Sequence, residues 1–560
     1  MQTRLAFVTN DLVRDTSPQE KLGAVYTKSW VVDLILDLAG YTSDADLVSS
    51  IAIEPSTGEG AFLLAMALRL VESARLHRRS LLDCGDSLIA YELEEKTAQV
   101  ARSAVIKALI ANGTSVDDAE TLTGKWIRIG DYLLEAPSLP TATFVIGNPP
   151  YIRLEDIEDE RADLYRSEYS TMKGRADIYI AFFQAALSQL TKDGVCAFIC
   201  ADRWMLNQYG EELRRFITSG YAVESVIEMH NADAFLSDVS AYPAVTVIRK
   251  SKQGRVVVAS VDRNVKENGS RLSQALLALS SADKDITEPG LVAGTFNNWF
   301  SGRQPWPCKS PRQLAVLKKL EAEFPPLEDS ATRTKVGIGV ATGADEIFIT
   351  KNPSFVEPSR LLPLAMASDI KGGVLEWSGN YLINPWDDDG LVDLRKHVLL
   401  EAYLVSFGAA LRRRHVAKRN PDSWMRTIDR VNISLVHTPK LYIADITERI
   451  NPVLDHGVTY PHHNLYFVHS EKWDLEVLGA LLLSDFGQFF VESYGVRMRG
   501  GYLRFQAQYL RRIRVPELSA ISIEQEQVLK TAFRKRDIEA ATKIASALYK
   551  MDASEVVRGR

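Results

Sequence analysis

The sequence has few cysteines and no long apolar run. Its four cysteines, Cys84, Cys196, Cys200 and Cys308, are scattered over 560 residues. This excludes a disulfide framework and a Cys/His zinc site, and it fits a reducing compartment. No apolar stretch approaches the roughly 18 residues of a membrane span, and the N-terminus lacks the apolar core of a signal peptide. We therefore predict a cytoplasmic protein with no metal centre and no membrane partner.

A strong charge of one sign is also missing, because the formal net charge is only −6. Bulk charge therefore does not indicate a nucleic-acid-binding protein. The hydrophobic and charged fractions, 46% and 25%, are ordinary for globular proteins and exclude disordered, collagen-like and coiled-coil classes. At roughly 100–200 residues per domain, the length predicts about two to four domains.

Between residues 45 and 250, short apolar runs alternate with helical stretches. The predicted strands are 50–54, 87–92, 126–130, 144–147, 195–201, 225–229 and 244–249, and the predicted helices are 62–76, 94–112, 178–190 and 210–218. This alternation predicts an α/β fold with a doubly wound, Rossmann-like sheet. The chain between 229 and 244 is too short for a crossover helix, so the last two strands are expected to form an antiparallel hairpin at the sheet's edge.

Composition changes beyond residue 257, where the sequence becomes less periodic and richer in turn residues. The predicted segments are an N-terminal extension (1–21), the doubly wound domain (22–257), a polar linker (258–300), a second, mixed α/β domain (301–520) and a C-terminal helical tail (521–560).

The string IGNPPYI at 146–152 follows an apolar strand, and so lies where open α/β sheets bind ligands. Pro149 and Pro150 fix the backbone and remove two N–H donors, which leaves the carbonyls of Asn148 and Pro149 able to face a ligand. Asn148 adds a side-chain acceptor, and Tyr151 offers a flat ring for stacking. The combination suits a planar molecule with an exocyclic amino group. A proline-rich turn with a capping Asn is the alternative interpretation.

A second string, EPSTGEGAF at 54–62, leads from a strand through a glycine-containing loop into a helix. Gly58 and Gly60 permit a tight turn and close approach of a ligand, and Glu54 ends the strand as a possible acceptor beside Ser56. A dinucleotide-binding loop requires a third glycine, where this chain has Leu63, so nicotinamide binding is disfavoured. A generic strand–turn–helix is equally compatible with the string.

Two single acids follow later strands. Glu92 closes the 87–92 strand, from where a carboxylate can bind ribose hydroxyls, and Asp131 follows the 126–130 strand and could accept from an amino group. Either alone is more often a helix cap or a surface acid. Their order and their positions at strand ends favour a shared ligand site.

Taken together, these strings resemble the gamma-class, TaqI-like DNA adenine methyltransferases of bacterial restriction–modification systems. The matching strings, in chain order, are GAVYT at 23–27, EPSTGEGAF, YELE at 91–94, Gly130-Asp131, IGNPPYI and ADIYIAFF at 176–183. The resemblance covers about 22–257 and is looser at 340–346 and 494–516. It implies an S-adenosylmethionine-dependent methyltransferase domain at 22–257 and a DNA target-recognition domain at 301–520.

The resemblance also implies roles for individual residues. The residues expected to bind S-adenosylmethionine are Thr27 and Glu54 at its methionine end near Ser56, Gly58 and Gly60, Glu92 at its ribose, and Asp131 and Phe182 at its adenine. The acceptor in this family is the N6 amino group of an adenine that is flipped out of the duplex. Tyr151 is expected to stack on one face of that base and Phe235 on the other, with Tyr242 as the second candidate.

A DNA-binding enzyme must neutralise phosphates, and two basic runs provide the charge. Residues 411–440 contain eight Lys/Arg and two acids, and residues 495–516 contain six arginines and no acid. The DNA-binding candidates are Arg412, Arg413, Arg414, Arg497, Arg499, Arg504, Arg511, Arg512 and Arg514. A solvated charged face is the alternative for each run.

The sequence thus predicts a site-specific DNA adenine-N6 methyltransferase that acts on double-stranded DNA in the bacterial cytoplasm, with a separate cognate restriction endonuclease as its possible partner. The alternatives are methylation of cytosine N4, of an RNA base or of a protein glutamine, because the NPPY chemistry suits any amino or amide nitrogen. A catalytically inactive DNA-recognition subunit is a further alternative.

Overall fold

The computed structural model describes residues 27–236, 242–265, 267–282, 285–297, 301–497 and 502–557. The chain forms two compact units, Met1–Pro311 and Arg312–Arg560. Each unit has its own sheets and its own buried apolar side chains. Among the described residues, no helix has both the length and the apolar composition needed to cross a bilayer.

A ten-stranded sheet is the centre of the first unit. Its strands are β1 (Ala52–Glu54), β2 (Leu88–Glu92), β3 (Ile127–Ile129), β4 (Ala142–Gly147), β5 (Leu190–Ala201), β6 (Ala222–Asn231), β7 (Pro243–Arg249), β8 (Val256–Asp262), β9 (Ile286–Glu288) and β10 (Leu291–Phe296). They lie in the order β3-β2-β1-β4-β5-β7-β6-β8-β10-β9. The first five in this order are parallel, and β7 runs antiparallel to both β5 and β6.

Helices alternate with the strands of this unit. They are α1 (Ser29–Ala39), α2 (Ala61–Leu76), α3 (Glu95–Ala111), α4 (Val116–Trp126), α5 (Tyr132–Glu135), α6 (Asp159–Glu168), α7 (Tyr179–Gln189), α8 (Arg203–Leu206), α9 (Glu211–Gly220) and α10 (Gly269–Ser280). Alternate strand residues cover both faces, since Ala197 packs in one cluster with α1 and α2, whereas Phe198 contacts Phe183 of α7. The predicted doubly wound α/β fold is confirmed.

The sheet continues past residue 257, where the sequence suggested that the first domain ends. β8 pairs in parallel with β6, and β10 pairs antiparallel with β8, so the β6–β7 hairpin has further strands beside it. The polar, serine-rich residues after β8 hid α10, which buries Leu272 and Leu276 against the core. Polar residues on the exposed face of an amphipathic helix resemble a linker when that helix is short.

The second unit is a mixed α/β structure with several small sheets. Its strands are β11 (Lys335–Ile338), β12 (Ile349–Thr350), β13 (Leu361–Ala365), β14 (Tyr381–Ile383), β15 (Trp386–Asp387), β16 (Gly390–Leu391), β17 (Lys440–Ala444), β18 (Ile446–Thr447), β19 (Val453–Asp455), β20 (Tyr460–Pro461), β21 (Leu465–His469), β22 (Val496–Arg497) and β23 (Leu503–Arg504). The two larger sheets have the orders β11-β21-β17-β19 and β12-β14-β13-β20.

Helices occupy the rest of this unit. They are α11 (Pro311–Glu323), α12 (Asp345–Phe348), α13 (Val398–Ser406), α14 (Gly408–Arg413), α15 (His415–Arg419), α16 (Leu475–Leu483), α17 (Asp485–Tyr494), α18 (Ala507–Leu510), α19 (Ile523–Lys535), α20 (Ile538–Tyr549) and α21 (Ala553–Val557). The last three lie within the predicted helical tail. Ser522 begins α19 with a capping box, in which its side chain and that of Gln525 bond to each other's backbone N–H.

Candidate active site

The glycine loop connects the ends of two neighbouring strands. It leads from Glu54, the last residue of β1, into α2, and both Gly58 and Gly60 have positive φ angles, 55° and 97°. The N–H of Gly58 donates to Glu92 Oε2 at 2.8 Å, across 34 residues of sequence. The loop that follows Glu54 is therefore bonded to Glu92 at the carboxyl edge of the sheet.

Gly60 has a packing role that the sequence did not reveal. A Cβ on this residue would lie 3.2 Å from the Cβ of Ala101 in α3, closer than ordinary van der Waals contact. A Cβ on Gly58, by contrast, would meet nothing within 4 Å. Gly60 thus lets the loop approach α3, while Gly58 faces open space where a ligand can come close to the backbone.

Glu54 is a buried carboxyl group with an unused acceptor. Only 1% of the residue is exposed, and its Oε2 has no hydrogen-bond partner among the described residues. Burial, together with the negative charge of Glu92, raises the pKa of the Glu54 carboxyl well above its ordinary value. A buried, partly unsatisfied carboxyl beside a second acid is suited to binding a cationic group, whose charge would allow Glu54 to ionise.

Three distant segments meet at Asn148, which follows β4. The Asn148 side-chain amide donates to Thr27 Oγ1 at 3.2 Å, which fixes the orientation of the carboxamide. Thr27 in turn forms an antiparallel bridge with Phe235, and the N–H of Lys28 donates to the carbonyl of Ala234 at 2.9 Å. The structure therefore brings the predicted residues Asn148, Thr27 and Phe235 into one group.

Phe235 lies deeper than a base-stacking residue would in an open pocket. It is 8% exposed and packs among the apolar side chains of the first unit's core. The second candidate, Tyr242, lies elsewhere, with its ring edge-on to His230 at 5.1 Å and the guanidinium of Arg203 at 5.7 Å from its centroid. Neither observation tests base stacking, so the assignment of Phe235 stays a prediction.

Tyr151 is held by backbone and aromatic contacts. Its hydroxyl donates to the carbonyl of Ile199 in β5 at 3.3 Å, and its ring meets that of Tyr179 edge-on at 6.5 Å. The Tyr179 hydroxyl bonds that of Tyr209 at 2.7 Å, and Tyr209 donates to Asp177 at 3.2 Å. These bonds fix the Tyr179 ring that Tyr151 contacts. The sequence around Tyr209 did not indicate that it would bond to Tyr179 and Asp177.

Asp131 and Phe182 both have contacts within the fold. Asp131 caps α5 by accepting from the N–H of Leu133, and it also accepts from the Tyr165 hydroxyl at 2.6 Å. The ring of Phe182 in α7 stacks on Tyr132 at 5.6 Å. Both positions are compatible with an adenine neighbour, but each side chain already has a partner within the fold.

A charged cluster near β6 was not predicted. The two ring nitrogens of His230 lie 2.8 Å from Asp202 Oδ2 and 2.9 Å from Glu228 Oε1. The string EMHN at 228–231, at the end of an apolar strand, was the available signal. It was missed because the second carboxylate, Asp202, comes from a different strand end.

In the second unit, several of the predicted DNA-binding arginines make contacts within the unit. Arg414 donates to the backbone carbonyls of Thr342, Trp424 and Arg426, at 3.0, 2.9 and 2.7 Å. Arg512 pairs with Glu321 at 3.0 Å. These two guanidinium groups stabilise the fold of the unit, and this leaves them less able to bind phosphate.

The remaining DNA-binding candidates of the 495–516 run differ in their contacts and in their exposure. Arg511 lies 3.2 Å from Glu328 and lines a groove of about 860 Å³ that also contains Arg333 and Lys335. Arg504 lies 3.8 Å from Asp445. Arg514 is half-buried. Arg499 and the side chain of Arg497 lie outside the described residues.

Four exposed basic residues of the 411–440 run lie on α14 and α15. Arg413, Lys418 and Arg419 are exposed. Arg412 is also exposed, and its guanidinium lies 4.3 Å from the centroid of the Trp424 ring. A flat guanidinium held on an aromatic ring keeps its charge at the surface.

The described residues contain one group that could coordinate a metal ion, formed by Asp345, His462 and His463 in the second unit. Nε2 of His462 lies 3.1 Å from Asp345 Oδ2, and Asp345 also accepts from the Thr342 hydroxyl. These bonds join the turn before α12 to the chain after β20. The prediction of no metal stays untested.

Comparison with known proteins places the chain among restriction–modification enzymes. Residues 142–235, which include the Asn148–Tyr151 string, match the family described as Eco57I restriction-modification methylase. Over 544 residues the chain is 42% identical to the type II methyltransferase M.PaeR7I of Pseudomonas aeruginosa, covering 96% of this chain and 93% of that protein. It is 40% identical to M.XhoI of Xanthomonas vasicola and 38% identical to M.BstVI of Geobacillus stearothermophilus, covering at least 95% of the chains in each case.

A solved structure has a related fold. The type IIL restriction-modification enzyme MmeI, solved in complex with DNA, aligns with a TM-score of 0.56 at 15% sequence identity. The alignment covers 94% of this chain and 71% of that one. At this identity the likeness concerns the fold alone.

Proposed function

Because the chain belongs to the type II DNA methyltransferases of restriction–modification systems, we propose that it methylates the N6 amino group of adenine in double-stranded DNA. The proposed methyl donor is S-adenosylmethionine, and the proposed class is the gamma class. The observation that carries the proposal is the Asn148–Tyr151 string at the end of β4, with the Asn148 carboxamide oriented by Thr27. The chain would act as the modification component beside a separate endonuclease.

The residues at the carboxyl edge of β1 and β2 fit the proposed cofactor. Glu54, with its unsatisfied buried oxygen, would bind the cationic amino group, and the space beside Gly58 would admit the ligand close to the backbone. Glu92, already fixed by the Gly58 N–H, would accept from ribose hydroxyls. When bound, S-adenosylmethionine supplies an electrophilic methyl group on a sulfonium.

The acceptor chemistry follows from the oxygens next to Tyr151. An exocyclic amino nitrogen is a poor nucleophile, because its lone pair is delocalised into the ring. Hydrogen bonds from that amino group to the Asn148 side-chain oxygen and the Pro149 carbonyl would favour a pyramidal nitrogen and direct its lone pair. The gain comes from positioning and from fixed dipoles, so the chain needs no nucleophilic side chain of its own.

The base must leave the duplex to reach these oxygens, which costs a few kcal/mol of stacking and pairing. Tyr151 would replace part of the stacking, with its ring supported by Tyr179. Phosphate contacts would come chiefly from Arg412, Arg413 and the neighbouring exposed cations of α14 and α15, since Arg414 and Arg512 already have partners inside the second unit.

Other acceptors are compatible with the same oxygens. Cytosine N4, an RNA base and a protein glutamine each present an amino or amide nitrogen, and a catalytically inactive recognition subunit would present none of this chemistry. The experiment is a transfer assay with S-adenosylmethionine that carries a tritiated methyl group, offered separately to duplex DNA, RNA and protein. We expect label on duplex DNA alone and in N6-methyladenine. Transfer of label to protein alone or to RNA alone would contradict the proposal. Specific DNA binding without transfer of label to any substrate would also contradict it.

A further inference from the structure

His230, Asp202 and Glu228 form a cluster, here called the His230 clamp. Its geometry determines the protonation state of the imidazole. Both ring nitrogens face a carboxylate oxygen, at 2.8 and 2.9 Å. A neutral imidazole has one N–H donor, so its second nitrogen would direct a lone pair at a carboxylate. With both acids ionised, only the doubly protonated imidazolium satisfies both contacts. His230 is therefore a fixed cation between two acids.

The charges around the clamp agree with this state. Burial alone would lower the pKa of His230, but the charges of Asp202 and Glu228 outweigh it and raise the pKa to about 9. The other ionisable groups nearby include Cys308, whose pKa is raised by burial and by both acids, and Cys200, whose pKa is raised by burial and by Asp202. Arg203 lies over the Tyr242 ring.

The clamp lies beside the chain that reaches Asn148. His230 is the penultimate residue of β6, and the residues that directly follow β6 lead to Ala234 and Phe235, which pair with Lys28 and Thr27. Asp202, the residue after β5, donates its backbone N–H to the carbonyl of Tyr242 at 2.9 Å. One ion cluster therefore fixes the ends of β5 and β6 and the residue that precedes β7.

We propose that the His230 clamp positions the residues that bind the target base. It fixes the chain after β6 so that Phe235 pairs with Thr27. Thr27 in turn orients the Asn148 carboxamide. This inference rests on the proposed function. His230 does not touch the reacting atoms, and it acts through Phe235 and Thr27. Losing the clamp would therefore loosen the pocket for the base, whereas the cofactor loop between β1 and α2 would keep its own contacts.

The test compares His230→Gln with His77→Gln, a control on an exposed histidine of the same unit. The readouts are the binding constant for S-adenosylmethionine, kcat and KM for DNA methylation, and the fluorescence of 2-aminopurine placed at the target adenine as a probe of base flipping. We expect the His230 variant to lose at least about tenfold in kcat and to show a weaker flipping signal. Its affinity for the cofactor should fall less than its kcat, because Thr27 is the one predicted cofactor residue that the clamp positions. The control should match wild type in all three.

Unchanged kcat and flipping in the folded His230 variant would overturn the inference. So would a loss of activity that only follows the fraction of unfolded protein in a thermal melt. If the variant does not fold, the wild-type chain still tests the imidazolium on which the clamp depends: in a carbon-13 NMR titration of labelled histidines, His230 should be half-titrated near pH 9. Titration near the ordinary histidine value would refute the clamp. Absence of any methyl transfer by wild type would instead refute the proposed function, and the titration would still report on the clamp.

Discussion

The carboxyl edge of the first unit's sheet and the arginine-rich segments of the second unit hold their polar side chains in opposite ways. At the sheet edge, Glu54 is buried with an unused oxygen, and Gly58 joins the loop to Glu92. In the second unit, Arg414 and Arg512 are satisfied by carbonyls or an acid of the same unit. One region keeps binding capacity for a ligand, and the other uses much of its charge for its own structure.

Polar residues at strand ends and arginines in basic runs therefore differ in how well the sequence predicts their contacts. A polar residue directly after a buried strand has its position set by the sheet, so its neighbours can be anticipated. An arginine in a basic run has no such constraint, because its long side chain can reach any acceptor within the fold. Charge runs thus need the structure before they indicate an interface, whereas strand-end strings do not.

The largest effect should come from Asn148→Ala. Removing the side-chain acceptor beside the Pro149 carbonyl should lower kcat by about 10²–10³-fold, the usual loss for one directed hydrogen-bonding group. Cofactor binding should be nearly unchanged, because the glycine loop and Glu92 keep their contacts. Single-turnover methylation and equilibrium cofactor binding check both statements. Asn264→Ala, at an exposed position in the same unit, is the matched control. Retained turnover in the Asn148 variant would remove this residue from the acceptor site.

The next largest effect is a loss of stability that distinguishes an arginine with contacts inside the second unit from an exposed one. Arg414→Ala removes the guanidinium donor from the carbonyls of Trp424 and Arg426, and from that of Thr342, which keeps the N–H of Ile428. It should lower the free energy of unfolding of the second unit by about 1–3 kcal/mol. Arg413→Ala, at the adjacent exposed position, should change it by less than about 0.5 kcal/mol. Urea unfolding of the two variants measures the difference. Equal stability would show that the contacts of Arg414 contribute little.

A smaller effect is expected for DNA binding. Neutralising Arg413, Lys418 and Arg419 together should make the slope of log K against log salt shallower by about 2–3, if each residue meets a phosphate. The control removes the same charge at Lys96, Lys107 and Arg78, which are exposed in the first unit. DNA affinity measured from low to high salt gives both slopes. The same slope in both triple variants would exclude a specific role of α14 and α15.

The smallest expected effect is a change in melting temperature and in proton release when Glu54 is replaced by Gln. Because its pKa is raised in the folded chain, the carboxyl contributes stability that is present below its unfolded pKa and is lost as pH rises through the folded pKa. Glu54→Gln should therefore raise the melting temperature of the ligand-free protein by a few degrees at neutral pH. Wild type should release up to one proton on binding S-adenosylmethionine, as calorimetry in buffers of different ionisation enthalpy would show. Release of the same number of protons by the variant would exclude Glu54 as their source.

Much of the first unit could be predicted from local patterns. Each predicted strand from 50–54 to 244–249 overlaps an observed strand, because short apolar runs between turn residues are characteristic of buried parallel strands. The predicted membership in the restriction–modification DNA methyltransferases is confirmed by relatives that are 38–42% identical over nearly the whole chain.

The remainder depends on contacts between distant segments. The bridge between Thr27 and Phe235 and the bond from Asn148 to Thr27 join residues more than a hundred positions apart, and no local period encodes them. The partners of His230 come from two strand ends, and those of Arg414 from two turns. Such pairs are selected by tertiary packing, which a single sequence does not display.

The most direct test of the central claim is modified-base sequencing of DNA from cells that express either this chain or its Asn148→Ala variant. We predict N6-methyladenine at one defined sequence with the wild-type chain and unmodified adenine at that sequence with the variant. N4-methylcytosine in place of methyladenine, or the same methylation with both chains, would contradict the account.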